Sequence, residues 1–352
     1  MRMLTIAIMG GAAVGAIALF TIVASFSQSG SSPVDQSGGT TAIVPLDQIV
    51  SGGPPRDGIP SIDNPKFLSA DKATLEDFEL VLGLDISGDV RAYPLSILVW
   101  HEIVNDEVGG EPVAVTYCPL CFTNQVFKRT IDGQTVEFGT SGKLYNSNLV
   151  MYDRTSESLW SQALGQAIAG EYAGKTLERL PFDVAYWRDW KNLYPESIVL
   201  SSDTGFGRPY GADPYGSYYS SPDILFPIAN RDDRLGPKEI VVGLESGGTY
   251  RAYPIHLIEE SSVINDAISG EEIALMSLYP FMVRAFDRTV DGLTLEFAYD
   301  GDKIVDQTGS VWNFEGEATE GEMAGKKLVR LPFDEGYWFE WVAFHPETEL
   351  YR

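Results

Sequence analysis

The sequence predicts a strand-dominated α+β fold built from two tandem, diverged repeats of one module, related by approximate two-fold symmetry. Three observations predict it: blocks that recur in the same order in both halves, short β-rich runs joined at Asp-Gly, and few stretches of helical periodicity.

The recurrence runs through the whole chain after residue 59. Arg91-Ala92-Tyr93-Pro94 returns as Arg251-Ala252-Tyr253-Pro254, each preceded by a strand-like run, Leu80 to Leu84 and Val241 to Leu244. Asn105-Asp106 returns as Asn265-Asp266 at the same spacing. Lys128-Arg129-Thr130-Ile131-Asp132-Gly133 returns as Asp287-Arg288-Thr289-Val290-Asp291-Gly292. Ala173-Gly174-Lys175 and Arg179-Leu180-Pro181-Phe182-Asp183 return as Ala324-Gly325-Lys326 and Arg330-Leu331-Pro332-Phe333-Asp334. The ends agree as well, with Tyr186-Trp187, Trp190 and Tyr194-Pro195-Glu196 matched by Tyr337-Trp338, Trp341 and His345-Pro346-Glu347. So many separate blocks in one order imply a duplication.

Within each copy the elements read mainly as strands. Val113 to Tyr117 is β-rich, and Val126 to Phe138 gives two runs joined at Asp132-Gly133, a strong hairpin signal repeated at Asp291-Gly292. Helices are expected over Ala92 to Val104 and Asp183 to Leu193. The organisation is then a membrane anchor or signal segment over 1–26 and a flexible stalk over 27–58. A first module over 59–202, a linker over 203–222 rich in Gly, Pro and Tyr, and a second module over 223–352 follow.

Composition narrows the function classes. The 352 residues suffice for two cores, and a hydrophobic content of 44% is that of a globular protein. Fifty acidic residues against 25 basic ones give a formal charge of −25, which repels nucleic acid phosphates and anionic headgroups and excludes nucleic acid as a partner. The uncharged run from Leu4 to Phe26 is long enough to span a bilayer, which needs about 20 apolar residues. It reads as an uncleaved anchor, with a cleaved signal peptide as the alternative. Arg2 favours a cytoplasmic N-terminus, so the remainder is expected outside. The Ser-, Gly- and Pro-rich stretch that follows buries too little apolar surface to fold.

The residues that invite chemistry lie in the first copy. Cys118-Pro119-Leu120-Cys121 ends a predicted strand, at a spacing that lets both sulfurs face one point. His101, one of three histidines, stands upstream in Trp100-His101-Glu102 on the expected helix. The second copy has Ser261 for His101, and Leu278 and an apolar residue near Phe281 for the cysteines, so all three soft-ligand candidates are absent together. A shared site predicts such a joint loss.

Three readings of the trio stay open. The first is a metal site of Cys118, Cys121 and His101, completed by Asp153 or Met151, for copper or zinc. The second is a redox-active dithiol serving a small molecule or redox partner, although a strand hairpin rather than a helix follows the motif. The third is a static disulfide in a non-catalytic envelope protein whose modules serve binding, assembly or self-association. Asp153-Arg154 also reads as an ion pair or an Asx turn. Gly139-Thr140-Ser141-Gly142 lacks the full Gly-x-Ser-x-Gly form of a serine nucleophile. Trp160, Trp187 and Trp190 read as packing, and His256 and His345 as structural.

Tyr117-Cys118-Pro119-Leu120-Cys121, Phe138-Gly139-Thr140-Ser141-Gly142-Lys143-Leu144, Met151-Tyr152-Asp153-Arg154-Thr155 and Ser158-Leu159-Trp160-Ser161-Gln162 resemble the domain of unknown function 3179 family. The resemblance runs from about Ile59 to the C-terminus. It implies an exported bacterial or archaeal protein and supplies no mechanism.

Overall fold

The computed structural model describes residues 41–352, which belong to one compact unit. The expected anchor and the stalk residues up to 40 lie outside them. No helix of the described residues is long and apolar enough to cross a membrane.

Strands dominate, and the α-helices among the described residues are short: α1 (Leu95–Leu98), α2 (Trp187–Leu193), α3 (Ile255–Ser261) and α4 (Trp338–Phe344). Each follows a strand directly. The expected helix over Ala92 to Val104 is therefore corrected. Asp89–Pro94 is a strand, α1 occupies only four residues, and Ile103 opens the next strand. The cause is pairing. Ala92 and Tyr93 lie opposite Gly83 and Leu82 in an antiparallel ladder, which overrides local helical preference. Likewise Asp183–Tyr186 is a strand against Leu80–Gly83, and only the residues after it are helical.

The stalk expectation also needs correction from residue 41 onward. Ile49–Ser51 pairs with Lys143–Tyr145, and Ile49 is buried against Val150 and Ile168. The apolar residues Val44, Leu46 and Ile49 give this stretch a face to bury, which the Ser- and Gly-rich composition around it obscured.

Several ladders recur with one register in both halves. Val81 pairs with Pro94 and Gly83 with Ala92, and Val241 pairs with Pro254 and Gly243 with Ala252. Gly83 must be glycine because a Cβ there would lie 2.1 Å from the Trp190 ring of α2. Gly243 meets the Trp341 ring of α4 at 2.2 Å in the same way. Asp132 and Gly133, and Asp291 and Gly292, all take positive φ, as a two-residue hairpin turn requires.

The halves are not separate bodies. Glu349–Leu350, Thr249–Pro254, Ile240–Ser246 and Asp334–Tyr337 continue, through the pair Glu335–Asn124, into Thr123–Lys128, Glu111–Cys118 and Ile103–Val108 of the first half. That seven-stranded sheet crosses the junction. Ionic contacts are exchanged across it too. Asp334 is held by Arg179 and Gln125, and Asp183 by Arg330 and Arg284. The Arg284–Asp183 pair is bidentate at 2.9 and 3.0 Å, with side chains only 1% and 3% exposed. Burial alone would raise the Asp183 carboxyl, but Arg284 and Arg330 outweigh it and hold it below the usual range.

Candidate functional site

The thiols sit at the tip of a hairpin. Strands Glu111–Cys118 and Thr123–Lys128 pair in register down to Cys118–Thr123. The Cys121 amide then donates to the Cys118 carbonyl at 3.1 Å, and Phe122 at φ 54° returns the chain. Cys118 and Cys121 are both free and fully buried, and they stand at the two ends of one tight turn. The Cys121 thiol donates to the Ser147 carbonyl at 3.2 Å. Burial, reinforced by Cys118, pushes the Cys121 thiol well above its ordinary value, so it is held protonated.

Around this tip the wall is polar and comes from both halves. In the first half, the Asn148 amide donates to Gln162 at 2.9 Å, and the Gln162 amide donates to Thr116 Oγ1 and the Thr123 carbonyl, both at 3.1 Å. From the second half, the Tyr337 amide donates to the Cys121 carbonyl at 2.8 Å, and Glu340 on α4 accepts from Asn148 at 3.5 Å. Gly336 leaves room between them. A Cβ there would lie 3.0 Å from Thr123 Oγ1 and 3.3 Å from both the Cys121 carbonyl oxygen and Glu340 Oε2. Burial drives the carboxyls of Glu340 and Glu335 well up, so both are held neutral. Buried polar atoms normally find partners, yet Thr123 Oγ1, Asn124 Oδ1, Ser147 Oγ and both Glu335 oxygens have none.

At the other junction most matching positions are apolar, with Arg284 standing where the first half has Gln125. By ladder register, Thr116 corresponds to Met276, Thr123 to Met282 and Asn124 to Val283. Glu335 corresponds to Val184, and Gln162, counted from Trp160, to Phe314 counted from Trp312. An unpartnered buried polar group costs about 1–3 kcal/mol, so the apolar version is the more stable way to fill this space.

His101 is fully buried but committed elsewhere. Its Nδ1 lies 2.7 Å from the Pro60 carbonyl and its Nε2 2.7 Å from the Tyr210 hydroxyl. The carbonyl can only accept, so Nδ1 carries the proton and Nε2 accepts from Tyr210. Burial lowers its pKa, which favours this neutral form. Next to it Glu102, buried at φ 59°, is pushed up to about 8 by burial. Asp153 accepts from the Thr155 and Ser156 amides, the Ser156 hydroxyl and Trp160 Nε1. Asp306 accepts from Thr308, Ser310 and Trp312 in the same manner. Met151 is a core side chain, and Ser141 donates to the Val150 carbonyl. His256 pairs with Glu239, and His345 stacks on Tyr250 and Trp341.

The structure therefore brings Cys118 and Cys121 together and gives His101, Asp153 and Met151 other partners. No group of three His, Cys, Asp or Glu residues among the described residues is arranged to hold a metal. Glu335, Glu340 and Gly336 escape a search confined to the first copy. The signal was present: Glu335-Gly336 replaces Val184-Ala185 inside an otherwise matching Pro-Phe-Asp-x-x-Tyr-Trp block. A surface pocket of about 540 Å³, lined by Asp63, Phe67, Arg91, Asp106 and Arg129 among others, contains none of these residues. Its Arg91 and Asp106 are paired to each other, as are Arg251 and Asp266 in the second half, so its charges are structural.

Residues 56–348 match the family model described as "Protein of unknown function (DUF3179)", and the chain belongs to that family. Neither a curated protein nor a solved structure matches it.

Proposed function

We propose that this is a duplicated extracytoplasmic protein, its modules related by approximate two-fold symmetry, that binds a soft metal ion of the copper(I) class at Cys118 and Cys121. The single observation carrying this is the pair of free, buried cysteines on one tight turn, set in a wall with unpartnered polar atoms. Two thiolates satisfy a soft monovalent ion, whereas structural zinc is almost always four-coordinate. His101 is left out of the shell, because both its nitrogens are bonded. The ion would displace two thiol protons, and neutral Glu340 beside Cys121 is suited to donate a hydrogen bond to the thiolate that forms. The run Leu4–Phe26 would hold the site outside the membrane.

A dithiol exchanging electrons with a partner is the second reading, supported by the same proximity. Against it stands the raised thiol pKa, since exchange proceeds through an accessible thiolate.

The test uses full-length protein in detergent, reduced and anaerobic, titrated with copper(I) against a chromogenic chelator. One equivalent bound by the wild type and by His101→Ala, and none by Cys118→Ser or Cys121→Ser, is expected. A wild type that takes up no copper(I), with two titratable thiols only after reduction, refutes the metal and leaves the dithiol or disulfide.

A further inference from the structure

The thiols are buried, so whatever reaches them must pass something that moves. The segment 203–222 lies over them, its tyrosines packed against the core, and among the described residues it shares no backbone–backbone hydrogen bond with the rest of the protein. Its only regular element is the 3-10 turn Gly216–Ser220. The backbone hydrogen bonds it makes are within itself. Side-chain contacts hold it, beginning with the Lys66–Asp203 ion pair at 2.7 Å. Tyr210 donates to His101, the Ala212 carbonyl accepts from Trp100 Nε1 at 3.1 Å, and the Tyr218 hydroxyl donates to the Leu120 carbonyl inside the Cys turn at 2.8 Å. Arg208 adds a bond to the Gly58 carbonyl, and Lys238 lies 3.2 Å over the Tyr218 ring.

The other half shows what lies beneath such a cover. Ser277 donates its amide to the Ser262 carbonyl as Tyr117 does to that of Glu102, and Leu278 follows as Cys118 does. There, Ser262, Ser277, Leu278 and Tyr279 line an open pocket of about 190 Å³.

We infer that the tyrosine-rich segment 203–222 is a hinged cover over the Cys118–Cys121 pair, latched by the hydrogen bond between Tyr210 and His101. His101 is then a positioning residue, which accounts for its replacement by Ser261 where the pocket lies open. A segment with no backbone ladder to the rest of the protein opens at a free energy below that of global unfolding, its buried tyrosines setting how far below. Regulated entry rests on the proposed metal reading; the cover itself does not.

The experiment therefore measures thiol exposure without metal. Reduced full-length protein is mixed with a chromogenic aromatic disulfide under native conditions, and the rate of thiol release is followed. Tyr210→Phe, which removes one hydroxyl and keeps the ring, and Tyr218→Phe should each speed the reaction about tenfold, the effect of losing one hydrogen bond. His101→Ala should do at least as much, and Ser277→Ala in the open pocket should change nothing. Urea unfolding of each variant separates local from global opening. Unchanged rates, or accelerations that equal the loss of global stability, overturn the inference. Acceleration in a protein that binds no copper(I) supports the cover and removes the metal.

Discussion

Glu102 offers a quantitative test of how the thiol site is built. It is buried beside His101, and burial alone raises its carboxyl from 4.5 to about 8. The folded state therefore binds a proton that the unfolded state has released between those values. Stability from this group is fully present below about pH 4.5 and is lost as pH rises toward 8. One pKa unit corresponds to about 1.4 kcal/mol, so the penalty is about 1 kcal/mol at pH 5 and about 3 kcal/mol at pH 7.

Glu102→Gln removes the titration and keeps the shape. Its own packing effect is independent of pH and cancels when the difference between variant and wild type is compared at two pH values. That difference, measured by urea unfolding, should move by about 2 kcal/mol in favour of Gln between pH 5 and pH 7. Glu335 and Glu340 titrate in both proteins and drop out. A difference flat with pH would mean that Glu102 is hydrated, and that the cover does not close over it.

Two further outcomes follow from the junction. Arg284→Ala should destabilise by about 3–5 kcal/mol in urea unfolding, because it strands the buried Asp183 carboxylate with only Arg330 to hold it. Gly336→Ala places a methyl among Thr123, the Cys121 carbonyl and Glu340, and such overpacking costs about 1–3 kcal/mol, lowering copper(I) affinity about tenfold in the chelator competition. Ala185→Gly, at the matching position of the first half, should leave that affinity unchanged.

The ladders and hairpins were legible because their signals are local or repeated. Asp-Gly turns, Arg-Ala-Tyr-Pro strands and the glycines facing Trp190 and Trp341 stand in both halves. Helix limits were not, because Ala92 and Asp183 have their states decided by partners outside any local window. The cysteine pair was legible from spacing alone. The role of His101 was not, since a buried histidine bonded to a carbonyl and a tyrosine leaves the same trace in sequence as a ligand. Nor was the Tyr-rich linker identifiable as a cover, because side chains fasten it and no pattern of period two or 3.6 records them.

The comparison of the two junctions also changes what the second copy is for. Read by cysteines, the second half is empty, with Ser261 and Leu278 where the first has His101 and Cys118. Its final block, however, has Gly336 and Glu340 where the first has Ala185 and Asp189, and those two residues lie beside the Cys121 turn. On the proposed duplication, the two halves differ in complementary ways. One supplies the sulfurs and amides, the other a neutral carboxyl and the space, while the opposite junction has methionine, valine and phenylalanine at the matching positions. A junction lined by buried polar atoms without partners is the costlier of the two to fold. The apolar junction, with the buried Arg284–Asp183 pair beside it, then holds the halves in place so that the polar one can carry a site. Neither module contains that site alone.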